Sequence, residues 1–172
     1  MMVTRLARQL VSAETKESLR GGQRATRDEY TRPTGRTIDE VMAQASSRLR
    51  RVGPLLAAAE LGAGALLVDT RSQAQRESQG EVAGALLVER NVLEWRFDPA
   101  SAHKLPQVTS YEIRVIIMCA EGYSSVLAAV SLQELGLVNA TDMIGGFGAW
   151  VRARLPVIGG RRASGVSLAA CS

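Results

Sequence analysis

The sequence predicts an α/β domain: a central, mainly parallel sheet flanked on both sides by helices. Three observations carry that expectation. Short runs of aliphatic and β-branched residues, Leu66–Val68 and Val115–Met118, are apolar at successive positions rather than alternately, as in parallel strands covered on both faces. Segments with helical spacing and helix-start signals lie between such runs. The stretch from Val115 to Val130 passes directly from a buried strand through a short loop into helical spacing at Leu127, Val130 and Leu135.

Size and composition agree. At 172 residues the chain is long enough for one domain with a proper core and too short for two of full size. A hydrophobic content of 46% with an aromatic share of 4% specifies a mostly aliphatic core. Residues 1–51 hold 11 of the 21 basic and 6 of the 17 acidic residues, a surplus of five positive charges. The other 10 basic and 11 acidic residues leave the rest of the chain at −1. The basic character therefore belongs to the N-terminal region, and no aromatic platform interleaves its arginines for stacking on bases, so no nucleic-acid partner is expected. No apolar run approaches the ~20 residues that span a bilayer, so no membrane partner is expected either. Two cysteines, Cys119 and Cys171, cannot form the framework of a small disulfide-rich domain, and a reducing, cytoplasmic setting is the simpler expectation. Oligomeric state is left open.

Residues 1–36 start with a short amphipathic stretch (Val3, Leu6, Leu10, Val11) and continue into a Gly-, Arg- and Thr-rich segment with little to bury, expected to be a disordered basic arm. The domain is expected over 37–158. Thr37 and Glu40 have the spacing of a capping box, and Ile38, Val41, Met42, Ala45 and Leu49 fall on one face of the helix that follows. Arg48, Arg50 and Arg51 suit the negative end of that helix's dipole. Pro54 opens a second helix. The strand Leu66–Val68 delivers Asp69 and Arg71 to its C-terminal end, where sites form in open parallel sheets.

Gln73–Gln79 reads as a polar helix and Ala85–Val88 as a strand. In the segment Glu89–Pro99, Asn91 can cap a helical turn, Trp95 and Phe97 can form a wall, and Arg90 or Arg96 can meet an anionic donor. An equally economical reading packs Trp95 into the core and leaves both arginines in water. His103, the one histidine, has no second histidine or cysteine nearby, and no metal site is expected. Gly136 suits a helix C-terminus, Ala140–Ile144 a strand, and Phe147–Arg154 a helix that packs Trp150 inward. Residues 159–172 read as a flexible tail, in which Cys171 has no structural context.

The chemistry concentrates at Cys119-Ala120-Glu121-Gly122-Tyr123-Ser124-Ser125. A thiol between a strand's end and a helix's first turn faces backbone N–H groups without intrahelical partners, and the positive end of the dipole favours its thiolate. The alternative is a buried cysteine that serves as a small hydrophobe.

These residues resemble the active-site loop of the rhodanese (sulfurtransferase) family, of the form C-R-x-G-x-R-S. Four further stretches match in order: Leu66-Leu67-Val68-Asp69-Thr70-Arg71, Gly80-Glu81-Val82-Ala83-Gly84-Ala85, Gly145-Gly146-Phe147-Gly148-Ala149-Trp150 and Leu155-Pro156-Val157. Together they cover about residues 52–158, one module of the single-domain type. The resemblance implies the rhodanese-like three-layer fold, and a catalytic Cys119 that takes a sulfane sulfur as a persulfide inside a cradle formed by residues 120–125. Asp69 and Arg71 would support it, by an internal ion pair in preference to substrate contact.

No metal or organic cofactor is implied. The implied partners are a small donor such as thiosulfate or a persulfide, or a protein that gives or takes a persulfide. The loop departs from the family pattern, because the two positions often basic are Ala120 and Ser124, and Glu121 adds a negative charge. Weak use of thiosulfate follows as an expectation. The related phosphatase loop carries arginine at the sixth position after its cysteine, which is Ser125 here, so phosphate hydrolysis is not expected. The rival reading from another class is a rhodanese-like interaction module whose thiol is incidental.

Overall fold

The computed structural model of the protein describes residues 35–160. Residues 1–34 of the expected basic arm and 161–172 of the expected tail, with Cys171, lie outside the described residues. Among the described residues, 37–160 belong to one compact unit. Among the described residues no helix is long and apolar enough to cross a membrane.

Four parallel strands form one sheet in the order β2-β1-β3-β4: β1 (Leu66–Asp69), β2 (Leu86–Leu87), β3 (Val115–Met118) and β4 (Ala140–Asp142). In register, Leu66 to Asp69 pair with Val115 to Met118, and Val115 to Ile117 pair with Ala140 to Asp142. The central strand β3 is buried along its whole length, which explains why its sequence is apolar at every position. Strand β2 is shorter than the expected Ala85–Val88 because it lies at the sheet's edge, with Leu87 exposed and only two residues paired to β1.

Helices cover both faces. Helix α1 (Ile38–Arg48) carries the complete capping box, Thr37 Oγ1 accepting from Glu40 N at 3.1 Å and Glu40 Oε2 from Thr37 N at 2.6 Å. Helix α2 (Pro54–Gly62) starts on its proline, and α3 (Gln73–Gln79) is capped by Ser72. A 3₁₀ turn, Arg90–Val92, leads into α4 (Leu93–Phe97) with no side-chain cap from Asn91. Helices α5 (Ser124–Glu134) and α6 (Gly146–Arg152) follow β3 and β4. Helix α6 is shorter than the expected Phe147–Arg154. Its last turn unwinds through Arg154 at φ 56°, ahead of Pro156.

Two apolar clusters fill the spaces on either side of the sheet. One joins Leu49, Val68, Leu93, Phe97, Ile117, Val126 and Leu132; the other joins Val52, Ala57, Leu67, Ile116, Met118, Phe147 and Trp150. Phe97 is fully buried, a contribution of about 2–3 kcal/mol relative to exposure. Helix α5 is buried more widely than the Leu127–Val130–Leu135 stripe suggests, since Ser125, Val126, Ala128, Ala129, Val130 and Leu132 are all covered while Leu135 is 37% exposed. Small residues on that helix let it sit close to the sheet, which presses its N-terminus against the end of β3.

Candidate active site

The site is built where β3 ends. Cys119 follows Met118 directly, and the chain turns through 120–123 before Ser124 begins α5. The turn requires a glycine at 122: its φ is 77°, and a Cβ there would stand 2.5 Å from the backbone nitrogen of Gly145. The Gly145–Gly146 corner closes over the loop. Phe147 N donates to the Cys119 carbonyl at 2.8 Å and Gly148 N to the Ala120 carbonyl at 3.0 Å. A side chain at Gly146 would collide with the Cys119 carbonyl. The paired glycines are thus demanded by the approach of one turn to another.

Inside this frame the Cys119 Sγ accepts the Gly122 N–H at 3.1 Å, and the thiol donates to Ser125 Oγ at 3.3 Å. Burial pushes the thiol pKa up, but hydrogen bonding offered to the thiolate by the Ser124 and Ser125 hydroxyls and by the Ser125 and Gly122 N–H groups outweighs it, and the net shift is down. Cys119 is 7% exposed and belongs to neither apolar cluster. The polar contacts of its sulfur are the Gly122 N–H and the Ser125 hydroxyl.

The other residues singled out in the sequence lie as follows. The Tyr123 ring is 70% exposed, outside the ring of donors around Sγ. Ala120 is half-buried. Glu121 is exposed, with its carboxylate and the Arg152 guanidinium over Gly148 at the start of α6. Asp69 and Arg71 are both buried and bind each other through a two-pronged ion pair, with Arg71 Nη2 to Asp69 Oδ2 at 2.7 Å. Arg71 also donates to Gln79 Oε1 and the Gly80 carbonyl, and its guanidinium stacks 3.5 Å from the centroid of the Phe147 ring.

Arg90 pairs with Glu94 at 2.7 Å, and Arg96 donates to the His103 carbonyl. Arg90 opens the 3₁₀ turn and Arg96 lies on α4, and the hydrogen bonds of neither reach the Cys119 loop. Trp95 stands 59% exposed and Phe97 fully buried, so the two aromatics form no common wall.

Sequence reasoning missed two residues that reach the site. Arg51, read as a complement to the dipole of α1, instead grips Asp142 at the end of β4, with Nε to Oδ1 at 2.7 Å and Nη2 to Oδ2 at 2.8 Å. Nη2 also donates to the Gly122 carbonyl at 3.2 Å. Asp142 is fully buried and accepts the Ser125 hydroxyl at 3.3 Å. The contact exists because residues 50–52 run along the free edge of β4: Val52 pairs with Met143, and Thr141 Oγ1 donates to the Arg50 carbonyl. Nothing local marks it, since Arg51 and Asp142 are 91 residues apart.

Beside the loop lies a groove of about 610 Å³ between α1 and the first turn of α5. Ile38, Met42, Tyr123 and Leu127 give it a largely apolar wall, with Asp39 and Arg51 as its charged groups. Among the described residues no group of His, Cys, Asp and Glu is arranged to hold a metal.

Comparison with known proteins agrees with this architecture. The chain is 33% identical over 95 residues to the thiosulfate sulfurtransferase GlpE of Haemophilus influenzae, a match that spans 55% of this chain and 80% of that protein. Among solved structures it resembles a Rhodopseudomonas palustris protein of unknown function described as a possible tyrosine phosphatase. That similarity has a TM-score of 0.66 and 29% identity, over 74% of this chain and 98% of that one. The human single-domain sulfurtransferase TSTD1 shares the fold at a TM-score of 0.50 and 24% identity, over 59% of this chain and 95% of that one. The family model for the rhodanese-like domain matches residues 54–153, the span that holds the sheet, the Cys119 loop and the glycine corner, and the chain belongs to the rhodanese-like domain family.

Proposed function

We propose that this chain is a sulfurtransferase that moves a sulfane sulfur from a donor to a thiophilic acceptor through a persulfide on Cys119. The observation that carries the reading is the setting of Sγ: at the end of the central strand, outside both apolar clusters, and hydrogen-bonded to the Gly122 N–H and the Ser125 hydroxyl. The thiolate attacks the outer sulfur of the donor. The donor's inner sulfur leaves with the bonding electrons, as a thiolate from a persulfide or as sulfite from thiosulfate. Cys119 then carries the transferred sulfur, and an acceptor nucleophile attacks that outer sulfur and returns Cys119 as thiolate. Two half-reactions with one enzyme-bound intermediate give ping-pong kinetics. Each step breaks one S–S bond as the new bond to the transferred sulfur forms, so the exchange needs no external oxidant or reductant.

The relatives named for thiosulfate make that donor the first to test, but the loop argues for another. Ala120 and Ser124 bring no cation, and Glu121 is an exposed anion at the loop's crest. The adjoining groove is large and mostly apolar, which suits the organic body of a persulfide, small or borne by a protein, better than a dianion. Phosphate-ester chemistry has less support: Ser125 stands at the position that would need a guanidinium, and Arg51 commits both Nε and Nη2 to Asp142.

The test is intact-mass measurement after incubation with thiosulfate and, separately, with a glutathione persulfide. The expected result is an adduct of about 32 Da, one sulfur atom, removed by cyanide and missing in Cys119→Ala. No adduct from either donor, in protein that is folded and free of oxidation, overturns the reading in favour of a non-enzymatic interaction module.

A further inference from the structure

We propose that Arg51, outside the Cys119 loop, is the positioning residue that governs ionisation of Cys119, through Asp142 and Ser125, in place of the cations the loop lacks. Reading Cys119 as the sulfur acceptor gives this its use, but the geometry stands independently of that reading.

Two routes run from one guanidinium to the same sulfur. In the first, Arg51 holds both oxygens of Asp142, Asp142 Oδ2 accepts the Ser125 hydroxyl, and Ser125 Oγ accepts the Cys119 thiol. In the second, Arg51 Nη2 binds the carbonyl of Gly122, the residue whose own N–H points at Sγ. Arg51 therefore fixes both the hydroxyl and the amide that contact the reacting atom.

The consequence for ionisation follows from counting donors. When the thiol releases its proton to solvent, the Ser125 hydroxyl must turn from Asp142 Oδ2 to Sγ if it is to donate to the new anion. A fully buried carboxylate gives up a donor cheaply only if others remain, and Arg51 supplies two. Without Arg51, Asp142 would be an uncompensated buried anion. It would hold the Ser125 hydroxyl and repel the thiolate, and both effects raise the thiol pKa.

The other charged groups around the loop are Glu121 and Arg152 over Gly148, Asp39 in the groove, and the Asp69–Arg71 pair at the end of β1. None of them hydrogen-bonds to Cys119 or Ser125.

The experiment is the pH dependence of iodoacetamide alkylation at Cys119 in the full chain, read on the Cys119 peptide by mass spectrometry so that Cys171 does not contribute. Each variant is first checked for a folded circular-dichroism spectrum. Arg51→Gln is expected to raise the midpoint by about one pH unit or more, roughly tenfold less thiolate at neutral pH. Asp142→Asn removes the anion, leaves the cation and preserves an acceptor for Ser125, so it is expected to lower the midpoint. Opposite signs are the mark of electrostatic positioning, because mere loosening of the loop moves both variants the same way.

Unchanged midpoints, or shifts of the same sign, overturn the proposal. If Arg51→Gln does not fold, Arg51→Lys takes its place: it keeps the charge and loses the fork, and its midpoint must rise by less than one unit. No rise there also overturns the proposal. Persulfide formation, measured separately in the unmodified chain, can fail without affecting these shifts.

Discussion

The Arg71 guanidinium lies 3.5 Å from the centroid of the Phe147 ring, and the same Phe147 donates its backbone N–H to the Cys119 carbonyl at 2.8 Å. The ion pair at the end of β1 is thereby coupled to the end of β3 through one aromatic residue. The hydrogen bonds of Asp69 and Arg71 are spent on each other, on Gln79 and on Gly80.

Arg71→Met tests that arrangement. The substitution leaves Asp69 as a fully buried, unpaired carboxylate, and removal of one member of such a pair costs about 3–5 kcal/mol. Urea denaturation should therefore show a marked fall in midpoint. If Arg71 instead served only to bind substrate, stability would be unchanged and KM alone would rise.

Gly122→Ala should damage both fold and reactivity. The position combines φ 77° with a backbone nitrogen of Gly145 at 2.5 Å from any added Cβ, so the new methyl group forces the two turns apart. A loss of about 1–3 kcal/mol is expected from the backbone conformation alone. The N–H donated to Sγ moves with it, so alkylation of Cys119 at neutral pH should slow as thermal stability drops. Wild-type stability with wild-type alkylation would refute this.

Much of this was legible in the sequence, and the limits have a physical pattern. The capping box at Thr37, Pro54 at a helix start and the apolar run of β3 are written in residues close together in the chain, and local patterning reports them well. Arg51 depends on a partner 91 residues away, brought beside it by a bridge between Val52 and Met143. Asp142 sits in a strand whose burial gives no hint that a charge is compensated there. Trp95 shows the converse: read as a wall or a core residue, it lies between the charged Glu94 and Arg96 on the five-residue α4 and stands 59% exposed.

The thiol's pH dependence has a definite sign. Its folded pKa is lowered, so the ionised form contributes stability that is fully present above the unfolded thiol's pKa and is lost as pH falls through the folded value. The affected window extends from the ordinary thiol range downward. Ser124→Ala removes the hydroxyl bond that most lowers the pKa and should move the alkylation midpoint up, toward that of an unfolded thiol. Because Ser124 is exposed, overall stability should change little. A midpoint that stays in place would assign the lowering to Ser125 and the backbone N–H groups alone.

Glu121→Arg tests why the loop should favour a persulfide over thiosulfate. Glu121 is exposed at the crest of the loop, close to Arg152 over Gly148, and its side chain is the loop's own charge. Reversing it changes the field seen by an approaching dianion without touching the donors on Sγ. The kcat/KM for thiosulfate should rise by about tenfold at low ionic strength. The gain should shrink as added salt shortens the screening length to about 8 Å and below. Turnover with a persulfide whose body is neutral should stay within about twofold of the unmodified chain, because steering by charge gives it little. If thiosulfate is already used efficiently by the unmodified chain, or if the reversal leaves its kcat/KM unchanged at low salt, the loop's charge does not select the donor and the apolar groove must do so alone.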